Sequence, residues 1–512
     1  MTTGACRVLF AWLFPLLLVA ALPASADVPL DAAAIYAKIA AAAGAEPAAY
    51  RETLEFVSSN GTKMVERDYY RGSDHRLVYD TGPLHAESGT YKGDPWYMNE
   101  NGQVVFDDPD NNGAPRHPAP PSVSAIHTPV EGYVIAALDA RGRGTKEYVD
   151  AATWQVVRRD RITADGTIVS TYDDIRADNG RTFAHHIHVD DRASKVTTDM
   201  HVTSYDASDV AESDVAVPSP RRALVEFPPG VTSVDLPATF SGTQVFVRVM
   251  VGNRGLDFTL DTGAAGITID SDVARELGVP QLDRRSSVAA GRYDTSEAIV
   301  PEMKVGSLTM RNVAVHVVPQ GWEEAPGLKD VGLLEFDFLA ELGVTIDYEH
   351  KRVTVVPGQV FQPPTDPRTI PVDVRIGSGQ PRTTVAVNGV QGDRFILDTG
   401  GDGTFMIFDY FARFHPDAFK NQTSDQSSVR MQGIGGEFTV QRYSMSRIQF
   451  ASAVFVNFVG YRIISKGAYE SDEGDGVIGA GFLQLFTVSL DYVNSRVYLV
   501  PNRDGRAATS TK

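Results

Sequence analysis

Short runs in which apolar and polar residues alternate dominate the chain between about residues 50 and 205. Successive side chains of a strand point to opposite faces of a sheet, so a period of two predicts strands with one buried face. The runs are separated by Asn-Gly or Asp-Gly pairs, which favour tight hairpin turns, at 60–61, 101–102, 112–113, 165–166 and 179–180. The pattern therefore predicts an antiparallel β-meander.

The segment before the meander has a helical composition instead. Residues 32–43 are nearly all strong helix formers, Asp31 can cap their N-terminus, and a glycine follows them. Prolines cluster between residues 217 and 230, which is typical of a linker. We therefore expect an N-terminal β-meander accessory domain with one leading helix over residues 27–216, followed by a linker over 217–235.

An internal repeat organises the C-terminal half of the chain. Phe-Thr-Leu-Asp-Thr-Gly at 258–263 is matched by Phe-Ile-Leu-Asp-Thr-Gly at 395–400, and the later segment 332–348 is matched by 476–492. The offset is 137 residues for the first pair and 144 for the second, so the two units differ by a short insertion. Such a repeat predicts two homologous lobes. The expected boundaries are 236–357 for lobe 1, 358–367 for the inter-lobe linker, 368–502 for lobe 2 and 503–512 for a polar tail.

Composition narrows the class of protein. The chain has 512 residues, of which 43% are hydrophobic and 22% charged, and this composition is typical of a globular protein with two to four domains. A net charge of -18 argues against nucleic-acid binding, because phosphate backbones require a positive face. The single cysteine excludes a disulfide framework and a Cys-based zinc module.

The first 26 residues have the features of a secretory signal peptide. Arg7 precedes an apolar run over residues 8–22, and a small-x-small site ends at Ala26, after which we expect cleavage. The alternative is an uncleaved membrane anchor. No second apolar run of membrane length follows, so we expect an exported protein, in the periplasm or secreted, without a membrane span after cleavage.

The repeated Asp-Thr-Gly triplet carries the candidate chemistry. A pseudo-twofold repeat brings equivalent loops together at its axis, which would place the carboxylates of Asp261 and Asp398 side by side. Two carboxylates at such a distance cannot both ionise easily, so they share one proton and provide both a base and an acid. This pair could activate a water for hydrolysis of a peptide bond without a metal, another cofactor or a covalent intermediate.

On these motifs the C-terminal half resembles the aspartic peptidases, specifically bacterial retropepsin-like proteins, with two lobes in one chain as in pepsin-like enzymes. The resemblance implies that Asp261 and Asp398 are catalytic. It implies a mainly β fold, in which the N-terminal antiparallel meander is followed by a bilobal, pseudo-twofold aspartic-protease β-barrel domain. It also implies an extended peptide or protein substrate. Because both lobes lie in one chain, we expect a monomer.

The resemblance also implies roles for further residues in each lobe. It implies that Thr262 and Thr399 hydrogen-bond across the lobe interface, next to Gly263 and Gly400. A hydrophobic-hydrophobic-Gly segment is expected to thread beside each catalytic loop. One lobe provides this segment as Val477, Ile478 and Gly479, and the other provides Leu333, Leu334 and Glu335. The glutamate departs from the pattern: it could perturb or regulate the aspartates, or it could be a tolerated side chain that points away from a widened loop.

Glycine-containing hairpins are expected to form flaps over the substrate. Gly433, Gly435 and Gly436 suggest one flap tip, and the segment that ends at Tyr293 occupies the corresponding place in lobe 1. An ordinary hairpin turn explains either segment equally well.

Two segments resemble metal-binding motifs but lack the full set of ligands. The segment 108–119 begins like a calcium loop but ends in alanine. Of His185, His186 and His188, only the last two share a strand face, so solvated histidines are favoured over a zinc site. The serine-hydrolase and zinc-protease signatures GxSxG and HExxH are absent from the sequence.

The N-terminal domain leaves a second function open. The segments 148–158 and 179–189 resemble the meander of periplasmic lipoprotein-carrier proteins, whose curved sheet holds an apolar ligand. The alternative function is therefore a periplasmic binding or carrier protein for a hydrophobic ligand or a protein, with an inert protease-like half. Retention of both Asp261 and Asp398 favours the peptidase.

Overall fold

A computed structural model describes most of the chain after residue 29. The described residues are 30–106, 122–128, 132–163, 166–220, 223–321, 323–325, 327–420, 424–465, 469 and 474–509. The predicted signal peptide and the calcium-like segment 108–119 lie outside them. Strands make up most of the described secondary structure, which confirms the mainly β fold class. No helix among the described residues is long and apolar enough to cross a membrane.

Thirteen strands of the described part of the chain precede the repeated region. They are β1 Ala49–Ser58, β2 Lys63–Arg71, β3 Asp74–Thr81, β4 Leu84–Tyr91, β5 Asp94–Met98, β6 Val104–Phe106, β7 Ser122–Thr128, β8 Gly132–Leu138, β9 Gly144–Val149, β10 Val156–Ile162, β11 Thr167–Asp178, β12 Arg181–Asp191 and β13 Val196–Asp206. The helices are α1 Ala32–Ala43, α2 Glu212–Val215, α3 Ser271–Glu276, α4 Phe336–Leu339, α5 Asp409–Phe414, α6 Ala480–Leu483 and α7 Arg503–Thr509, with 3-10 turns at Gly358–Val360 and Pro416–Phe419.

The chain divides into two compact units, and the first contains the described residues within 30–59 and 122–208. Its antiparallel sheet has the order β1-β13-β12-β11-β10-β9-β8-β7. The predicted helix is present as α1, and the Asp31 carboxylate caps it by accepting a hydrogen bond from the Ala34 amide at 2.8 Å. The helix buries Ile35 against Ile135 and Val149 of the sheet.

The second unit contains the described residues within 60–106 and 209–509. Its strands β2 to β6 form an antiparallel meander with the order β6-β5-β4-β3-β2. The turn between β5 and β6 is buried against lobe 1. Asn101 Nδ2 donates to the Asp337 carboxylate at 2.6 Å and to the Ala314 carbonyl at 3.0 Å, and its Oδ1 accepts from the Ala314 amide at 2.9 Å. Asn99 Nδ2 donates to the other Asp337 oxygen at 2.8 Å.

The repeated region contains the remaining strands. In lobe 1 they are β14 Val234–Asp235, β15 Ala238–Ser241, β16 Gln244–Val251, β17 Arg254–Leu260, β18 Ile267–Asp270, β19 Gln281–Val288, β20 Arg292–Val305, β21 Leu308–Val318, β22 Glu323–Ala325, β23 Leu328–Leu334, β24 Leu342–Asp347 and β25 Arg352–Pro357. In lobe 2 they are β26 Ile370–Asp373, β27 Arg375–Gly377, β28 Gln380–Val387, β29 Val390–Asp398, β30 Phe405–Ile407, β31 Ser424–Gly433, β32 Gly436–Phe450, β33 Ala453–Ile463, β34 Gly476–Gly479, β35 Phe486–Asp491 and β36 Arg496–Pro501.

The two lobes have matching topologies. Lobe 1 has the strand order β15-β16-β17-β23-β18-β21-β20-β19, with β22 paired to β23, and lobe 2 has the order β27-β28-β29-β34-β30-β33-β32-β31. A six-stranded sheet with the order β14-β25-β24-β35-β36-β26 joins them. At its centre Thr345 pairs with Ser489, its equivalent in the repeat, and their hydroxyls are 3.1 Å apart. The pseudo-twofold axis therefore passes between these residues, and the bilobal architecture is confirmed.

Candidate active site

Each lobe holds its Asp-Thr-Gly triplet at the end of a buried strand that runs parallel to a threading strand. In lobe 1, β17 pairs with β23, so that Leu260 lies opposite Leu334 and the Asp261 amide donates to the Leu334 carbonyl at 2.9 Å. In lobe 2, β29 pairs with β34 and Asp398 lies opposite Gly479. The threading segments singled out in the sequence therefore flank the two triplets.

The two threonines connect the loops across the lobe interface. The Thr262 hydroxyl donates to the Leu397 carbonyl at 2.6 Å and accepts from the Thr399 amide at 3.0 Å. Reciprocally, the Thr399 hydroxyl donates to the Leu260 carbonyl at 2.7 Å and accepts from the Thr262 amide at 3.2 Å. Both threonines are buried, so these four bonds are shielded from water.

The glycines of the two triplets allow each carboxylate to pack on the opposite loop. A Cβ atom on Gly263 would lie 2.4 Å from the carboxyl carbon of Asp398, and a Cβ atom on Gly400 would lie 2.4 Å from that of Asp261. A side chain at either position would collide with an aspartate of the other lobe. Only glycine therefore permits the close approach of the two carboxylates.

The paired carboxylates are held by backbone amides and have perturbed pKa values. Asp261 Oδ1 accepts from the Gly263 amide at 2.6 Å, whereas Asp398 Oδ1 accepts from the amides of Gly400 and Gly401, both at 2.8 Å. Burial, followed by the charges of Asp398 and Glu335, raises the pKa of Asp261 well above its usual range. Burial also raises the pKa of Asp398, but its two amide donors lower it again in part.

Comparison with known proteins agrees with this geometry over lobe 1. Residues 247–338 match the aspartyl protease family. The match confirms the resemblance to aspartic peptidases for the segment that contains Asp261.

The solved structures similar to the chain include an aspartic proteinase from Irpex lacteus, with 15% identity and a TM-score of 0.34, covering 54% of this chain and 100% of that one. They also include a LolA superfamily protein from Nitrosomonas europaea, with 9% identity and a TM-score of 0.28, covering 37% of this chain and 98% of that one. No curated protein sequence matches the chain.

The two segments that the sequence suggested as flaps are hairpin tips that touch each other. The Ala290 amide, in the turn between β19 and β20, donates to the Ile434 carbonyl at 3.1 Å, in the turn between β31 and β32. Gly291 and Gly435 are in backbone contact, since a Cβ atom on either would lie within 2.3 Å of the other's carbonyl oxygen. Tyr293 is buried at the base of the first tip, while Gly433 and Gly436 flank the second.

The position of Glu335 corrects one interpretation of the sequence. The alternative in which this side chain points away from the loop is wrong, because Glu335 is 1% exposed and packs against the loop that begins at Asp261. Its Oε1 accepts from the Thr268 hydroxyl at 2.9 Å. Its Oε2 lies 3.6 Å from the position of a Cβ atom on Gly266 and has no hydrogen-bond partner among the described residues.

Sequence reasoning missed several groups beside the aspartates. Tyr348 and Tyr492 are equivalent residues of the repeat, and their buried hydroxyls have no hydrogen-bond partner in the described part of the chain. Burial first, and then the aspartates, raise the pKa of both phenols, and the same holds for Tyr469. The first two could have been found from their place in the repeat, whereas Tyr469 lies outside the matched segments.

Two of the three histidines that the sequence singled out hydrogen-bond with the same carboxylate on the sheet of the first unit. His186 and His188 do share a face, since both contact one oxygen of Asp199, at 3.0 and 2.9 Å. His185 is buried rather than solvated, because it stacks on Phe183 inside the sheet. Within the described residues no group of three or more His, Cys, Asp or Glu side chains has the geometry to hold a metal ion.

Proposed function

We propose that the chain is an aspartic endopeptidase that hydrolyses peptide bonds with a water activated between Asp261 and Asp398. The observation that carries this proposal is the reciprocal packing of the two Asp-Thr-Gly loops, in which each carboxylate lies against the glycine of the other lobe. The family match over lobe 1 supports the same reaction class.

The reaction follows from the sharing of one proton by two adjacent carboxylates. The ionised aspartate takes a proton from the water, whose oxygen attacks the carbonyl carbon of the scissile bond. The protonated aspartate donates its proton to the carbonyl oxygen and regains one from the resulting diol as the C–N bond breaks, while the other aspartate passes the proton taken from the water to the departing nitrogen. Burial keeps the surrounding dielectric low, which strengthens these charge interactions.

The touching hairpin tips support a role as two flaps over an extended peptide. A peptide between the flaps and the aspartates could add its backbone to the hairpin edges, which is a common mode of peptide recognition. The tips would have to separate for the substrate to enter. The loop glycines at both tips allow this movement at low steric cost.

The remaining parts of the proposal concern the whole protein. The N-terminal signal pattern supports export to the periplasm or beyond, with a mature chain that starts at residue 27. The presence of both triplets in one chain supports a monomer with lobes at 236–357 and 368–502. The meander domain over 27–216 would then be an accessory to the peptidase.

Replacement of each aspartate by asparagine tests the proposal. We expect Asp261→Asn and Asp398→Asn each to reduce cleavage of a peptide library by about 10²- to 10⁴-fold, because each variant removes a proton-transfer group. Asp417→Asn is the control, since Asp417 is exposed and pairs only with a nearby lysine among the described contacts. Full cleavage by either triplet variant, in a folded protein, would disprove the shared-proton reaction.

A further inference from the structure

The two lobes differ at the residue that faces each aspartate across the parallel strands. Leu260 is paired with Leu334, so Glu335 follows in register beside Asp261. In lobe 2 the corresponding partner of Asp398 is Gly479. The pseudo-twofold symmetry therefore breaks at this position, where one aspartate has a glutamate beside it and the other has no side chain.

The lengths of the two loops explain why a side chain fits only in lobe 1. The loop from Asp398 to the start of β30 is one residue longer than the loop from Asp261 to the start of β18. In the longer loop, a Cβ atom on Gly479 would lie 2.1 Å from the Gly403 carbonyl oxygen. The shorter loop of lobe 1 leaves room for the Glu335 side chain.

The Glu335 carboxyl lies in a buried polar cluster on the lobe-1 side of the aspartates. Thr268 on β18 donates to Oε1, and the His316 ring on β21 is within 2.5 Å of the Gly266 Cβ position that Oε2 also approaches. His316 Nδ1 is 2.8 Å from Glu297 Oε1. The titratable groups that face this cluster are Asp261 after β17, Arg285 on β19, Tyr293 and Glu297 on β20, His316 on β21, Asp337 on α4 and Glu100 in the turn between β5 and β6.

The hydrogen bonds to the two aspartates favour the same location of the shared proton as the side chains beside them. Asp398 receives two amide donors, which favour its ionised form, whereas Asp261 receives one. A negative charge at Glu335 favours the protonated form of Asp261. Both differences therefore favour the location of the shared proton on Asp261.

We propose that Glu335 is a positioning residue whose ionised carboxylate holds the shared proton on Asp261, so that Asp261 acts as the acid and Asp398 as the base. This inference rests on the peptidase function proposed above. No bond to Glu335 forms or breaks in the reaction. Glu335 acts only through the charge that it places beside Asp261.

The role of Glu335 changes with pH. Burial raises the pKa of Glu335 to about 8, although His316 and Thr268 lower it in part. Glu335 is therefore largely uncharged at neutral pH and ionises as the pH rises through about 8, after which its charge opposes loss of the Asp261 proton. The form with one proton on the pair persists to higher pH than it would without Glu335.

Titration of the aspartate carboxyls by ¹³C NMR tests the inference on the full-length protein labelled at aspartate Cγ. The Asp261 and Asp398 signals are assigned by their loss in the respective asparagine variants. We expect Asp261 to be protonated and Asp398 ionised at neutral pH because of their different amide donors, and we expect the charge of Glu335 to maintain this distribution above about pH 8. In Glu335→Gln the midpoint of Asp261 should fall by about one pH unit, and the alkaline limit of kcat/KM should fall with it.

Two further variants keep the test decisive if Glu335→Gln does not fold. Thr268→Val removes the donor to Oε1, which makes Glu335 harder to ionise, so the Asp261 midpoint should move in the same direction by a smaller amount. Glu302→Gln, which changes a partly exposed glutamate of the same lobe that pairs with Lys304, should leave the midpoint unchanged. A protonated Asp398, or a midpoint that neither Glu335→Gln nor Thr268→Val moves, would overturn the inference. Because the titration requires no turnover, failure of this inference can be distinguished from failure of the peptidase proposal.

Discussion

The threonine pair at the lobe interface provides the sharpest prediction about stability. Thr399→Val keeps the shape of the side chain but removes a hydroxyl that makes two buried hydrogen bonds, one to the Leu260 carbonyl and one from the Thr262 amide. Each of these backbone groups would be left without a partner, and an unsatisfied buried group costs about 1–3 kcal/mol. We therefore expect the free energy of unfolding to fall by about 2–6 kcal/mol.

Urea unfolding, followed by circular dichroism and by tryptophan fluorescence, measures this loss. Thr345→Val is the matched control, because Thr345 also lies between the lobes but is only partly buried, and among the described residues its hydroxyl pairs with the Ser489 hydroxyl. That control should cost about 0.5–1.5 kcal/mol. If Thr399→Val were no more destabilising than Thr345→Val, the threonine bonds would not contribute as argued.

Three further predictions follow from other contacts. Gly400→Ala should reduce both peptide cleavage and thermal stability far more than Gly403→Ala. A Cβ atom on Gly400 would collide with the Asp261 carboxyl group, whereas a Cβ atom on Gly403 would have no other atom within 4 Å. Equal melting temperatures of the two variants would contradict this prediction. Asn101→Ala should lower the free energy of unfolding by about 2–5 kcal/mol in urea, since it removes three buried hydrogen bonds, and a loss below about 1 kcal/mol would be inconsistent with a buried anchor. Burial lowers the pKa of His316, but the Glu297 carboxylate raises it more strongly, to about 9. The pair therefore stabilises the fold below about pH 6.5, and this contribution is lost as the pH rises through about 9. Unfolding measured against pH should show this loss, by at most about 3 kcal/mol, and His316→Gln should abolish it; an unchanged slope in the variant would exclude the pair as its source.

Local patterns predicted the parts of the fold that depend on neighbours in sequence. The helix over α1 followed from its composition and its Asp31 cap, and the meander followed from alternation, since hairpin-linked strands usually pair with each other. In β1 the side chains of Tyr50, Glu52, Leu54 and Phe56 are buried, as a period of two requires. The repeat predicted two lobes of equal topology, although the non-sequential strand order inside each lobe is not contained in any local pattern.

The environment of the aspartates could be predicted only in part. The triplets and threading segments were visible because they repeat, but the contacts that surround them join residues far apart in the chain. Asn101, for example, belongs to an ordinary Asn-Gly turn in the sequence, yet it hydrogen-bonds with Asp337 in lobe 1. The burial of Glu335 likewise depends on the length of a loop in another segment. Such contacts follow from tertiary packing, which alternation and turn signals do not encode.

The most direct test of the central claim is a titration of peptide cleavage with a pepstatin-type transition-state mimic. Such a compound resembles the tetrahedral intermediate and binds between two aspartates that share a proton. We predict that the full-length protein cleaves a peptide library between acidic and neutral pH and that one equivalent of the mimic per chain abolishes cleavage. A folded protein that cleaves no peptide in this range, or that cleaves peptides but is unaffected by the mimic, would contradict the account.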